Sequence, residues 1–489
     1  MEILVKELLE QKNVRSNLSE IRKIIKDESK RDILENLLDG SEDVIVSFLK
    51  SDDAKTRKNA ALLLGDLEWN SALPELMEAY DKENTLFVRS SYLMALLKLD
   101  VSSKVDYFEA RLKELTNGDI PTENRKHIDE EIRCLRKIII KYKGISRHKF
   151  SYGNTMREIL LFTNRNQREV VRRSIDFAEA KVHPLGVLVK TDDIEKIKKI
   201  RTYRELVFPL GIKGLISGEP KKAANQLWDS DMYSILSELH TGGDTFYYRI
   251  DCKSMMSLEE RSEFSKKLAN ELDNISNGSM VNSPGDYEVE IKLIATKEGN
   301  FFPCLKLNTL KDDRFLYRKN FISASINPST AALIMELSAP YLKEKAQVID
   351  PFCGVGTMLI ERDKKLKLRE IYGTDIFGEA IEKARENSKL AGLNANYIHR
   401  DFFDFKHDYK FDEIITNMPV RGKKTKEEID SLYEKFFRKS KEILVKNGII
   451  IMYTNELGLV RKYLRLNKDM KLLQETCMQK DFYLQIIRV

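Results

Sequence analysis

The chain has 489 residues, of which 42% are hydrophobic and 33% charged, with a net charge of +6 and a pI of about 8.7. This length predicts about two to four domains, and the mild basicity permits nucleic acid as a partner without demanding it. Met1–Ser16 is too charged for a signal peptide, and no apolar run approaches the roughly 20 residues a membrane span needs. The scattered cysteines Cys134, Cys252, Cys304, Cys353 and Cys477 form no CxxC pair, which argues against a disulfide framework or a metal site and for a reducing cytoplasm.

Residues 1–145 are read as all-helical. Asp53–Leu67 can be laid on Thr85–Leu99 at an offset of about 32, which puts Arg57 on Arg89, Leu64 on Leu96 and Leu67 on Leu99. A repeat of that length is the mark of a helical solenoid, whose helix pairs bury their apolar faces only against neighbours. The pattern resembles HEAT-like repeats; an ordinary helical bundle is the alternative.

A basic, less regular stretch, Arg133–Asn154, with Gly144 and Gly153, marks a boundary. Residues 146–321 then mix both periods. EILLFTN, PLGVLVKT, TFYYRIDC, DYEVEIKLIAT and FFPCLKLNT are read as strands, and NQREVVRRSIDFAEA, DDIEKIKKI and LEERSEFSKKLANELDNI as helices. The mixture predicts an α+β domain. Cations and rings alternate in it and just before it, at Tyr142, Phe150, Tyr152, Tyr203 and in DDRFLYRKNF (Asp312–Phe321), as RNA binding by phosphate contact and base stacking requires. A solvated helix face is the plainer reading of each basic segment alone.

From residue 322 short apolar strands alternate with helical segments: AQVIDPF, EIYGTDI, ANYIHR, DEIITN and GIIIMYT, then two closing strands, MKLLQETCM and DFYLQIIRV. The alternation predicts βαβ units and a parallel sheet covered on both faces, with a hairpin-like pair added at its end.

The chemistry gathers at the ends of these strands. In Val348–Glu361 a strand ends at Asp350, a turn holds Phe352, Gly354 and Gly356, and a helix opens at Thr357. The first such turn of a doubly wound sheet lies where ligands bind, and glycine lets the backbone approach them. The third glycine of the dinucleotide fingerprint is missing, and an acid before the turn suits a cationic amino group better than phosphate. Asp375, followed by Ile376, stands where a carboxylate takes two ribose hydroxyls. Asp401 can accept from an adenine amine, and Phe402 offers a ring to the base. Each aspartate alone reads as a helix cap; three at successive strand ends read as one ligand site.

The motifs DPFCGVGTMLIE, SASINPSTAALI before it and Asn417-x-Pro419 after it resemble those of class I S-adenosylmethionine-dependent methyltransferases. More closely they resemble the RNA guanine-N2 methyltransferases that carry a THUMP domain. The resemblance covers residues 322–489, is weaker over SPGDYEVEIKLIATKEGNFFPCLKL, and does not reach residues 1–145. It implies S-adenosylmethionine as cofactor, bound by Asp350, Phe352, Gly354, Gly356, Thr357, Asp375, Ile376, Asp401, Phe402 and Asn417, with Ser325 and Asn327 near its methionine end. It also implies a THUMP-like RNA-binding region over 146–321 and a methyltransferase domain over 322–489, behind a HEAT-like domain over 1–145.

Enzymes of this kind usually carry Asn/Asp-Pro-Pro-aromatic at the fourth strand end. The amine's lone pair is delocalised into the base, so an Asn oxygen and a backbone carbonyl accept its two N–H groups and aim the nitrogen; the catalysis is mainly orientation. Asn417 and Pro419 stand at their places as the candidate catalytic residues, while Met418 replaces the first proline and Val420 the ring. Arg421, Gly422, Lys423 and Lys424 follow as a basic rim suited to RNA phosphate. The expected activity is methylation of guanine N2 in tRNA, on a flipped or single-stranded base. The alternatives are an rRNA substrate, a catalytically weak cofactor-binding scaffold whose helical repeats bind a protein partner, and a protein amide methyltransferase.

Overall fold

The computed structural model describes residues 1–117, 124–144, 147–153, 155–212, 214–243, 245–323, 325–422 and 424–489. They divide into two compact units that do not follow chain order: residues 1–148, 242–248 and 266–286 in one, and 149–241, 249–265 and 287–489 in the other.

The first unit is built on helices packed around a leucine-rich core that includes Leu8, Leu18, Leu34, Leu63, Leu93 and Leu135. The helices Ala54–Asp66 and Leu86–Leu96, which carry the two similar sequences, pack together. A side chain at Gly65 would meet the Ala95 Cα at 2.5 Å, so this close approach requires glycine. Arg57 and Arg89 occupy matching places and do matching work. Arg57 makes a two-pronged ion pair with buried Glu83, both bonds 2.8 Å. Arg89 lies 3.3 Å from buried Glu131, which also takes Arg111 at 3.1 Å and the Tyr80 hydroxyl at 2.6 Å. Glu131 thus ties four helical segments to one charge. In the later segments of this unit, Phe246–Tyr248 pairs in parallel with Met280–Asn282, and the Tyr248 hydroxyl donates to Asp273 Oδ1 at 2.9 Å. Burial raises the Asp273 carboxyl to about 6.

Among its described residues the second unit holds a short two-stranded pair, Lys149–Phe150 with His240–Thr241, and two larger sheets. One has the strand order Glu179–His183, Gly186–Thr191, Arg157–Phe162, Glu205–Pro209, Phe301–Leu307, Val289–Ala295 and then Phe246–Lys253, of which residues 249–253 belong to this unit. The helix expected over 166–180 ends at Arg173, and Glu179–His183 is a strand. Its pairing with Gly186–Thr191 overrides the helical reading of a charged, weakly patterned stretch. Glu205–Pro209 is a further strand that the sequence reading passed over, and Leu258–Ile275 is a helix as expected.

The other sheet has seven strands: β1 (Gln347–Asp350), β2 (Glu370–Asp375), β3 (Asn396–His399), β4 (Phe411–Asn417), β5 (Leu444–Thr454), β6 (Lys471–Gln479) and β7 (Phe482–Arg488), in the order β3-β2-β1-β4-β5-β7-β6. β1 to β5 run parallel, and β7 is antiparallel to both its neighbours. Helices α1 (Pro328–Ser338), α2 (Thr357–Lys365), α3 (Gly378–Ala391), α4 (Lys426–Ile443) and α5 (Leu457–Leu466) accompany them. The sheet has a separate core on each face, one including Val348, Leu359, Ile415 and Ile451, the other Ile349, Ile414, Phe436 and Ile450. That is what near-continuous apolar strands require.

A buried ion pair fixes α2 on β4. Arg362 donates to Glu413 at 2.8 and 2.9 Å, and its other donors reach the Leu366 and Lys343 carbonyls. A second carboxylate, Glu361, joins the part built on the seven-stranded sheet to the preceding region. It receives two bonds from Arg201, 2.9 and 2.7 Å, and one from the Tyr317 hydroxyl, 2.7 Å. These contacts correct part of the expected RNA surface. Tyr203, Arg314 and Tyr317 are buried. The Arg314 guanidinium stacks on the Tyr203 ring at 3.6 Å and donates to the Tyr203 carbonyl at 2.9 Å. Alternating rings and cations here form an internal latch. No helix among the described residues is long and apolar enough to cross a membrane, and no cluster of His, Cys, Asp and Glu among them could hold a metal ion.

Candidate active site

A cavity of about 720 Å³ opens at the carboxyl edge of β1, β2, β4 and β5. Of the residues expected there from sequence, Ser325, Asn327, Asp350, Phe352, Gly354, Thr357, Asp375, Ile376, Asp401, Asn417 and Pro419 line it. Gly356 and Phe402 do not.

The glycine turn shows why. Both Gly354 and Gly356 have positive φ, +51° and +82°. A side chain at Gly356 would strike the Tyr397 hydroxyl at 2.4 Å, so this glycine makes room for a ring packed behind the loop. Gly354 faces the cavity, and its N–H donates to Asp375 Oδ2 at 2.9 Å. Asp375 Oδ1 accepts from the Phe377 N–H at 3.0 Å, so one carboxylate fixes two turns and keeps lone pairs for a ligand. Asp401 caps a short turn over Phe402–Asp404. That turn sends Phe402 into the core beside Phe352 and Phe436 and leaves Phe403 on the cavity wall. The ring offered at this strand end is therefore Phe403.

Asp350 is buried at the cavity floor, and burial pushes its carboxyl up to about 8; the Phe352 N–H, donating at 3.1 Å, opposes the rise. Thr357 also lines the cavity, with its Oγ1 buried and without a hydrogen-bond partner among the described residues. Asn327 caps α1, where Pro328 takes the first position, through Oδ1 to the Ser329 N–H at 3.0 Å. Ser325 Oγ closes a turn by accepting from the Ile322 N–H at 2.9 Å.

At the end of β4 the Asn417 side chain is half-buried and has no hydrogen-bond partner among the described residues. Its turn is held by the backbone: the Met418 N–H donates to the Tyr453 carbonyl at 2.9 Å. A proline at 418 could not make that bond. Met418 is 2% exposed and packs into the core with Phe436, whereas Val420 is 47% exposed at the rim. Beyond it Arg421, Gly422 and Lys424 are exposed, and Lys423 lies outside the described residues. Thr425 and Glu428 form a reciprocal cap that starts α4.

The cavity has further walls that the sequence did not place there: Arg204 from the preceding region, Tyr453 on β5, and Gln479 and Phe482 on the β6–β7 hairpin. Tyr453 and Phe482 stack with centroids 5.1 Å apart at 24°. No local motif marks these residues; they come together only through sheet order and packing.

A buried acid, a carboxylate shared by two turns, a glycine-lined approach and a buried hydroxyl without a partner among the described residues are donors and acceptors of the kind the sequence led one to expect for S-adenosylmethionine. Comparison with known proteins agrees. Residues 316–483 match the family UPF0020, an RMKL-like methyltransferase domain. A tRNA (guanine(10)-N2)-dimethyltransferase of Methanothermobacter thermautotrophicus is 31% identical over 138 residues, 28% of this chain and 40% of that protein. An uncharacterized RNA methyltransferase of Halalkalibacterium halodurans is 41% identical over 75 residues, 15% and 16% of the two chains. The chain thus spans less than half the length of these curated relatives. Two solved structures share the fold at a TM-score of 0.50: SMU.472 complexed with SAH, 16% identical, covering 69% of this chain and 98% of its own, and a possible methylase from Clostridium difficile 630, 17% identical, covering 68% and 98%. The match over residues 316–483 is to a methyltransferase domain, and S-adenosylmethionine-dependent methyl transfer is the chemistry the sequence led one to expect.

Proposed function

We propose that this protein methylates an exocyclic amine of RNA, guanine N2 of a tRNA, with S-adenosylmethionine. The observation that carries the reading is that one cavity holds both the acids of the first three strand ends and the Asn417 turn of the fourth. When bound, S-adenosylmethionine supplies an electrophilic methyl group on a sulfonium. Asp350 would meet its amino group, Asp375 its ribose hydroxyls and Asp401 its adenine amine, with Phe403 against the base. Asn417 Oδ1 and the carbonyl of Met418 or Pro419 would accept the two N–H groups of the target amine and aim its nitrogen. The replacement of the first proline by Met418 does not loosen this turn, because the Met418 N–H adds a bond to β5. The 31% identity to a tRNA guanine-N2 dimethyltransferase supports the choice of guanine and tRNA.

For the rest of the chain we read 1–145 as a HEAT-like helical domain, 146–321 as a THUMP-like RNA-binding region and 322–489 as the methyltransferase domain. The matching places of Arg57 and Arg89 support the repeat. The helical domain would offer a surface to RNA or to a protein partner. Mass spectrometry of nucleosides from total RNA, with and without the gene, tests the function. Loss of N2-methylguanosine from the tRNA fraction is the expected result. Loss from rRNA alone would move the substrate, and an unchanged nucleoside profile would reject the reading in favour of a scaffold or a protein substrate.

A further inference from the structure

The two ends of the cavity differ in chemistry. Asp350, Asp375 and Asp401 approach it from β1, β2 and the segment after β3. On the other side of β1 the sheet continues through β4, β5 and β7, and there the lining residues are Tyr453, Gln479 and Phe482. Neighbouring strands lie about 4.8 Å apart, so the step from β2 to β5 is on the order of 14 Å. That width accommodates a cofactor beside a second ring system.

The second half carries a ring where the turn lacks one. Tyr453 stands opposite Asn417 in the β4–β5 register, and both share the face of Ile415 and Ile451. Half-buried Phe482 stacks on it. Val420 has no ring to offer, yet an aromatic surface lies one strand away from Asn417.

It also carries a cation with spare donors. Arg204 is exposed to the cavity, and among the described residues its guanidinium makes one hydrogen bond, Nη2 to Gln479 Oε1 at 3.3 Å. No carboxylate among the described residues pairs with it. Its backbone is fixed, with its N–H donating to the Phe162 carbonyl at 2.7 Å. The approach of this segment to the hairpin is built in as well: Gln167 Nε2 donates to the Cys477 carbonyl at 3.0 Å, and Asn166 Nδ2 to the same atom at 3.4 Å. A guanidinium held at a cavity wall with unused donors is an element for binding phosphate.

We propose that the target nucleotide is held by two residues outside the methyltransferase motifs: Phe482, on whose ring the base stacks, and Arg204 of the preceding region, whose guanidinium takes the nucleotide's phosphate. This inference rests on the RNA reading given above. It makes the nucleotide site composite, since the methyltransferase domain supplies the ring and the region before it supplies the cation. Stacking tolerates any aromatic at 482, whereas the phosphate contact needs charge at 204.

The test uses the full chain saturated with S-adenosylhomocysteine and two probes, guanosine and guanosine 5′-monophosphate, followed by saturation-transfer NMR titration. Wild-type protein should bind the monophosphate about tenfold tighter than the nucleoside. Arg204→Gln should abolish that preference and leave guanosine affinity in place, and Arg204→Lys should keep part of it. Phe482→Ala should weaken both probes about tenfold, Phe482→Tyr should bind like wild type, and S-adenosylhomocysteine affinity should be unchanged in every variant. Equal wild-type affinity for the two probes, a preference that survives Arg204→Gln, or full binding by Phe482→Ala overturns the inference. Methyl transfer to bulk tRNA is measured in parallel. Protein that shows both dependences yet labels no tRNA overturns the proposed function and leaves the nucleotide site standing. Undiminished labelling by both Arg204→Gln and Phe482→Ala does the reverse.

Discussion

Asp375→Ala tests the proposed cofactor half of the cavity. The carboxylate accepts the Gly354 N–H at 2.9 Å and the Phe377 N–H at 3.0 Å, and its remaining lone pairs face the cavity. Two hydrogen bonds from ribose hydroxyls to a charged acceptor contribute about 1.5 kcal/mol each, so the variant gives up about 3 kcal/mol of binding. That corresponds to a loss of roughly 100-fold in affinity. The two freed N–H groups lie at a cavity wall that water reaches, so the fold should survive, and thermal unfolding of the ligand-free variant checks this. Isothermal titration with S-adenosylhomocysteine measures the effect. Asp401→Ala, whose carboxylate is exposed and holds one short turn, should lose about tenfold, as for a single hydrogen bond. Affinity within threefold of wild type in a folded Asp375→Ala protein would refute the assignment of this carboxylate to the ribose.

Arg362→Met strands Glu413 in the core and should cost about 3–5 kcal/mol in denaturant unfolding, while Arg362→Met combined with Glu413→Leu should recover most of it. Glu131→Ala removes the shared partner of Arg89 and Arg111 in the helical unit, and urea titration should show a loss of about 3 kcal/mol. Asp350 gives a pH signature. Its folded carboxyl titrates at about 8 and an unburied one at 3.8, so the folded state keeps a proton that the unfolded state has lost. Its contribution to ligand-free stability is therefore full below about pH 4 and declines as pH rises to 8. Asp350→Asn has no such decline, and its melting temperature should exceed that of wild type by a margin that widens from pH 5 to pH 8. A constant margin would contradict the buried, protonated carboxyl.

The methyltransferase domain was legible in the sequence because its signals are local. An apolar run ends at Asp350, a glycine turn follows, and Asp375, Asp401 and Asn417 recur at successive strand ends. What local pattern cannot give is direction. One residue of a tight turn decides whether Phe402 or Phe403 faces the cavity, and Gly356 is explained by a ring, Tyr397, some forty positions away. Arg314 and Tyr203 read the same whether they meet RNA or each other, and burial made them an internal pair. Arg204, Gln479 and Phe482 share a cavity only because the hairpin packs against the preceding region, and no spacing in the sequence shows this. The grouping of 242–248 and 266–286 with the helical unit was equally invisible, since the strands Phe246–Lys253 and Met280–Asn282 and the helix Leu258–Ile275 carry ordinary patterns of their own.

The central claim is that the Asn417 turn transfers a methyl group to an RNA amine. Purified full-length protein, labelled S-adenosylmethionine and bulk tRNA, with the product nucleosides identified by mass spectrometry, test it most directly. The Asn417 side chain supports no other group among the described residues, so Asn417→Ala should fold and bind S-adenosylhomocysteine within severalfold of wild type. The expected result is N2-methylguanosine from wild type and a loss of about 10²–10³ in kcat for the variant, the cost of removing one preorganised polar contact to a reacting group. Labelling of tRNA by Asn417→Ala at the wild-type rate, or no label in RNA from either protein, would contradict it.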